Sequence, residues 1–272
     1  MTAFTNHFLF EFKSGIRNSS AMLMLYLLPL GFYAAMGLIM VQINPGFKEL
    51  LIPAMIIFAI MSSMILGFPT GLVEARESGI YRSYKINGIP ALSILIIPAL
   101  SVGFHGLITS GIVAVTAVPF FDAAAPVNWL ALLLVSLLVV FTFSTLGMLI
   151  GVVSSNSRAV VLLSQLIYLP SILLGGMMIP LSMIPEAFQK VSGFLPSTYA
   201  MQAFFAFAYQ QETILEPWVC IAVLLTSGIM ALVLSIYLFN WDSNNDTRRG
   251  SPLLGLLVLL PYVAAILYST YF

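Results

Sequence analysis

Five charged side chains crowd into twelve positions of this sequence: Glu74, Arg76, Glu77, Arg82 and Lys85. They are a quarter of the twenty charged residues in the 272-residue chain, and Ser78 and Tyr81 add hydroxyls among them. Mixed carboxylates, cations and hydroxyls of this kind suit docking to a soluble partner, through ion pairs and hydrogen bonds at a polar surface. A plain solvated loop is the alternative. What the rest of the chain lacks favours docking.

Other chemistry is sparse. The chain is 60% hydrophobic with a mean hydropathy of +1.05, well beyond soluble domains, and its formal net charge is zero. It reads as an integral membrane protein with no basic surface for nucleic acid. His105 is the one ionisable residue well inside an apolar run, and carriers driven by protons or sodium usually keep Asp, Glu, Lys or Arg there. A lone His in such a place is more often a hydrogen-bonded packing residue than a relay. There is no GxxxxGK(S/T) for binding ATP, no HExxH and no GxSxG, so an enzyme is not expected, nor any catalytic, metal or cofactor site in this chain. The single Cys220 excludes an internal disulfide and sits in an apolar run as a packed thiol. Gln165, Ser136, Thr142, Ser144 and Thr145 are expected to bond to neighbouring helices, and Gly147 and Gly151 form a GxxxG that suits close helix contact.

The elements that must position these residues follow from apolar run length. About twenty apolar residues cross the roughly 30 Å hydrocarbon core as a helix. Such runs cover 21–41, 50–70, 91–118, 129–153, 159–178 and 217–239, with Pro29 and Gly31 expected to bend the first. Residues 3–18 read as an amphipathic helix in the membrane interface. Phe4, Phe8, Leu9, Phe12 and Ile16 share one arc and His7, Glu11, Lys13, Ser14 and Arg17 the other, while Phe10 breaks the pattern. The N-terminus lacks the pattern of a cleavable signal, so insertion is expected to rely on the spans. The polar stretch 71–90 is too long for a minimal turn. A helix over 73–86 is expected there, weakened at Gly79 and ended by Gly88 and Pro90. Residues 175–216 combine many Pro and Gly with Met, Phe and Leu, which suits short helices at 186–193 and 198–210 dipping into one leaflet. A last apolar run, 252–271, is long enough for a seventh span.

If the spans alternate, Lys13, Arg17, Arg76, Arg82, Lys85, Arg158, Arg248 and Arg249 fall on one side, and Lys48 and Lys190 on the other. The bias of Lys and Arg toward the cytosol then places the N-terminus and residues 71–90 inside the cell, and 175–216 and the C-terminus outside.

Two segments resemble ABC-2 type transporter permeases. The run EARESGIYRSYKINGIP, from Glu74 to Pro90, is similar to that family's first cytosolic loop. LGGMMIPLSMIPEAFQK from Leu174 to Lys190, continued by FLPSTYAMQA from Phe194 to Ala203, resembles its region after the fifth span. With the N-terminal helix and six spans, the likeness covers about residues 1–240. It implies an all-α polytopic membrane protein in a single permease domain over 1–272. Residues 71–90 would be a coupling helix between spans two and three, with short external helices between spans five and six. It further implies a pair of permease chains in the cell membrane bound to two copies of a separate ATPase, which would hold the ATP and Mg. Glu74, Arg76, Glu77, Ser78, Tyr81, Arg82 and Lys85 would face that ATPase. A seventh span departs from the family's usual six. The apolar spans suit export of a small amphiphilic drug or antibiotic, and the family also admits glycans, lipids, peptides and ions. Outside the family, a partner-independent carrier using His105, or a membrane anchor that transports nothing, are the readings to exclude.

Overall fold

A computed structural model describes residues 3–242 and 250–271, which form helices and connecting turns with no strand among them. Helix α1 (Ala3–Arg17) stops at Asn18. Asn18 has an extended backbone, and its side-chain oxygen accepts from Ser20 N and Ala21 N, which starts α2 (Ser19–Ile43). Helix α2 runs through Pro29. The wide π-helical turn Leu23–Leu27 lies directly before it and makes room for a proline ring that would otherwise meet the carbonyl four residues back.

Helix α3 (Phe47–Glu77) is the centre of the bundle: 89% of its apolar stretch is buried, against 22% for α7 (Ser157–Leu174). Its 31 residues reach about 46 Å at 1.5 Å each, well beyond the hydrocarbon core. The expected span 50–70 is therefore one part of a longer rod, whose last turns carry Glu74, Arg76 and Glu77 out of the apolar layer. The single helix expected over 73–86 is two. Helix α3 ends at Ser78, Gly79 takes the left-handed conformation at φ 78°, and α4 (Ile80–Ile86) begins in a new direction. A left-handed Gly costs no Cβ clash, which is why the break falls there.

Helix α5 (Ala91–Phe121) follows, then α6 (Trp129–Val153), on the bounds expected from sequence, and α7. Asn128 and Asn156 cap α6 and α7 as Asn18 caps α2. Gly147 and Gly151 lie where α6 crosses α3. A Cβ at Gly147 would overlap the Met64 carbonyl oxygen, and one at Gly151 would sit 3.0 Å from Leu72 and 3.3 Å from Pro69 O. Of the hydroxyls expected to bridge helices, Thr142 does so, donating to Leu224 O at 3.0 Å. Ser136, Ser144 and Thr145 bond back to carbonyls of their own helix.

Between α7 and α10 (Pro217–Leu238) lie the short helices α8 (Glu186–Ser192) and α9 (Pro196–Ala203), the latter continuing as a π-helical turn Phe204–Ala208. Six helices among the described residues are long and apolar enough to cross a membrane. The C-terminal run is a shorter apolar element, a 3-10 stretch Pro252–Leu259 leading into α11 (Leu260–Tyr271). Gly255 packs near Val153, the Tyr262 hydroxyl donates to Ser227 at 3.0 Å, and Ile266 lies against Gly193. The segment thus runs from the α6–α7 turn to the α8–α9 end of the bundle, about 34 Å by its residue count.

Candidate functional site

The site is the end of the bundle where α3 stops and α4 turns back. Its seven sequence-predicted residues divide by direction. Glu74, Glu77, Ser78, Arg82 and Lys85 are exposed, while Arg76 and Tyr81 are buried in the chain's own packing. Arg76 Nη1 donates to Val152 O at 3.2 Å and Nη2 donates to Ser154 O. These are carbonyls that α6 leaves open at its C-terminus, and a guanidinium satisfies them with charge-assisted bonds. The Tyr81 ring lies 5.7 Å from Phe239, and burial pushes its hydroxyl pKa well above the ordinary range. One face of the segment therefore holds the permease and the other holds a mixed-charge surface.

Exposed members of the set are also tied in. Glu77 accepts from Ser157 N at 3.3 Å and from Ser157 Oγ, so a carboxylate meets the first turn of α7. Arg82 pairs with Asp242, just past α10. Phe239 in turn packs on Trp241 at 5.3 Å. Glu74 and Lys85 have no ion pair among the described residues. Arg248 and Arg249, counted above for orientation, lie outside the described residues.

Helix α1 supports the same end. The His7 ring meets Tyr84 edge-on at 6.2 Å and its Nε2 lies 3.4 Å from Glu11. Burial holds the Glu11 carboxyl above its ordinary range, outweighing the lowering effect of His7. So His7 and Glu11, from the polar arc, turn toward α4 while Phe4 and Phe10 stay exposed. Further along α1, Phe12 stacks on His105 at 4.2 Å. His105 is fully enclosed and both ring nitrogens are engaged. Nε2 donates to Phe12 O at 3.2 Å, so Nδ1 accepts from the Tyr26 hydroxyl at 2.6 Å. It joins α1, α2 and α5 as a packing residue.

Sequence reasoning missed Ser157, Asp242, His7 and Glu11 as supports of this surface. No local signal marks Ser157, Asp242 or His7, because Glu77, Arg82 and Tyr84 lie about 80 to 160 positions away in the chain.

The model of the ABC-2 type transporter family matches residues 4–209, a range that takes in α1, the exposed surface on α3–α4 and the short helices. The chain belongs to that family. As an ABC-2 type transporter chain it is a transmembrane permease of an ABC transporter, in a family that is not itself the ATPase, and association with an ABC ATPase follows from membership. Comparison with curated proteins and with solved structures returned no match.

Proposed function

We propose that this permease exports a small amphiphilic compound, driven by an ATPase that docks on the exposed face of residues 71–90. The observation that carries the docking is the division of that segment. Arg76 and Tyr81 lock it to α6 and to the residues after α10, so a push on Glu74, Ser78 or Lys85 moves α3, α5 and α6 rather than a loose loop. The end carrying Arg76, Arg82, Lys85 and Arg158 would be cytosolic, with α8, α9 and the end of α11 outside. Two such chains and two ATPase copies would make the working unit. Enclosed on every side, His105 lends no support to a carrier that works without a partner.

The test is transport by the permease–ATPase complex in liposomes. ATP-dependent movement of a fluorescent amphiphile is expected. ATP-driven movement of a glycan, with amphiphiles ignored, would overturn the substrate reading and leave the permease assignment standing.

A further inference from the structure

At the end of the bundle opposite the coupling segment, a cavity of about 420 Å³ opens between the start of α3 and the chain around α9. That volume is within the range of sites for drug-sized molecules. Its walls are unlike the lipid-facing surface. Leu181 and Phe205 supply apolar faces, and Glu49 and Glu212 supply carboxylates. Among the described residues no Lys or Arg lines it. Lys48, beside Glu49 in sequence, is paired with Asp122 at 2.6 Å.

Gln202 adds a second, independent feature. Its side chain lines the cavity while the residue is only 5% exposed. Its Oε1 accepts from Ile214 N at 2.9 Å and Leu215 N at 3.5 Å, which fixes the amide orientation, since the nitrogen could not accept these bonds. The Gln202 amide N–H groups have no partner among the described residues. The amide donor opens on the cavity, in a lining that also holds two carboxylates and an aromatic ring, a set that a ligand with matching groups would satisfy.

We propose that this cavity binds an amphiphilic organic cation that also carries a hydrogen-bond acceptor. The cation lies between the carboxylates and the face of Phe205, the acceptor meets the Gln202 amide, and the apolar body rests on Leu181. This rests on the export reading and sharpens it: the cavity is the last site the substrate occupies, and it selects for positive charge.

The test uses the full chain with its co-expressed ATPase in lipid nanodiscs, and two probes with related ring systems: rhodamine 6G, a cation bearing an ester, and fluorescein, an anion. Fluorescence anisotropy is expected to show preferential binding of rhodamine 6G. The exposed pair of changes Glu49→Gln and Glu212→Gln should weaken it roughly tenfold, and added salt should do the same. Glu212→Lys should shift the preference toward fluorescein. Unchanged rhodamine affinity in the double variant, or equal binding of both dyes by the native chain, would overturn the proposal. Stimulation of ATP hydrolysis by rhodamine 6G in the native complex is read separately. Its absence would count against the export reading, whereas the dye affinities alone decide the cavity.

Discussion

Arg76 sits in the middle of a charged, largely exposed sequence and yet belongs to the scaffold. Its guanidinium spans two carbonyls at the end of α6, Val152 O and Ser154 O, a geometry that a planar fork can match and an ammonium cannot. Arg76→Lys should therefore lower stability by about 1.5–3 kcal/mol, the worth of a charge-assisted bond lost in a buried setting. Thermal unfolding of the purified chain would show this as a drop in Tm, and an unchanged Tm would place Arg76 at the surface instead. Glu11 makes a different prediction. Its folded-state pKa is raised above the ordinary 4.5 by burial, so the fold prefers the neutral acid. The stabilisation from protonation is complete below that value and is lost as pH rises through the folded-state pKa. Glu11→Gln should accordingly unfold at a higher temperature than the native chain at pH 7, and the two should converge below pH 4.5. A native chain that is the more stable at pH 7 would mean that the contact with His7 outweighs burial.

Among the helices, association inside a bilayer cannot draw on the hydrophobic effect, because lipid is as apolar as the side chains, so close approach and packing decide it. The α3–α6 crossing at Gly147 is where the backbones come nearest, since the Met64 carbonyl occupies the space a side chain would need. Gly147→Ala should reduce the amount of folded protein recovered from membranes severalfold. Gly111→Ala, which points a methyl into open space, should not. Equal yields would show that the two helices can separate without penalty. This crossing was legible in the sequence as a GxxxG, and the bounds of α6 were legible from Trp129 and the turn after Val153. The inward turn of Arg76 was not, because its acceptors lie 76 and 78 residues further along and no local periodicity points to them. The break at Gly79 was visible only as a weak point. Propensity grades a glycine by its cost in a helix and says nothing of the left-handed turn that two packed helices can impose on it.

Across the whole molecule, the two ends of one bundle differ in character. One end presents exposed charge on a segment anchored by Arg76, Tyr81 and α1, and the other opens as a mixed polar and apolar cavity beside the short helices. Helix α3 joins them, running from Phe47 near the cavity to Glu77 at the exposed charged face with nearly all its apolar length buried. On the proposed reading, movement imposed at Glu74 would travel along this buried helix to Glu49. The composition made the membrane bundle plain, and the charge distribution picked out the end that carries the exposed charge. The cavity was not foreseen, because it gathers Glu49, Gln202 and Glu212 from three separate stretches of chain. The most direct measurement is co-purification of the ABC ATPase with this permease in gentle detergent, for the native chain and for Glu74→Arg with Lys85→Glu. Both positions are exposed and have no ion pair among the described residues, so the variant should unfold at the native temperature. Loss of the ATPase at an unchanged Tm is the predicted result. Full retention of the ATPase by that variant would contradict the account and move the docking site away from residues 71–90.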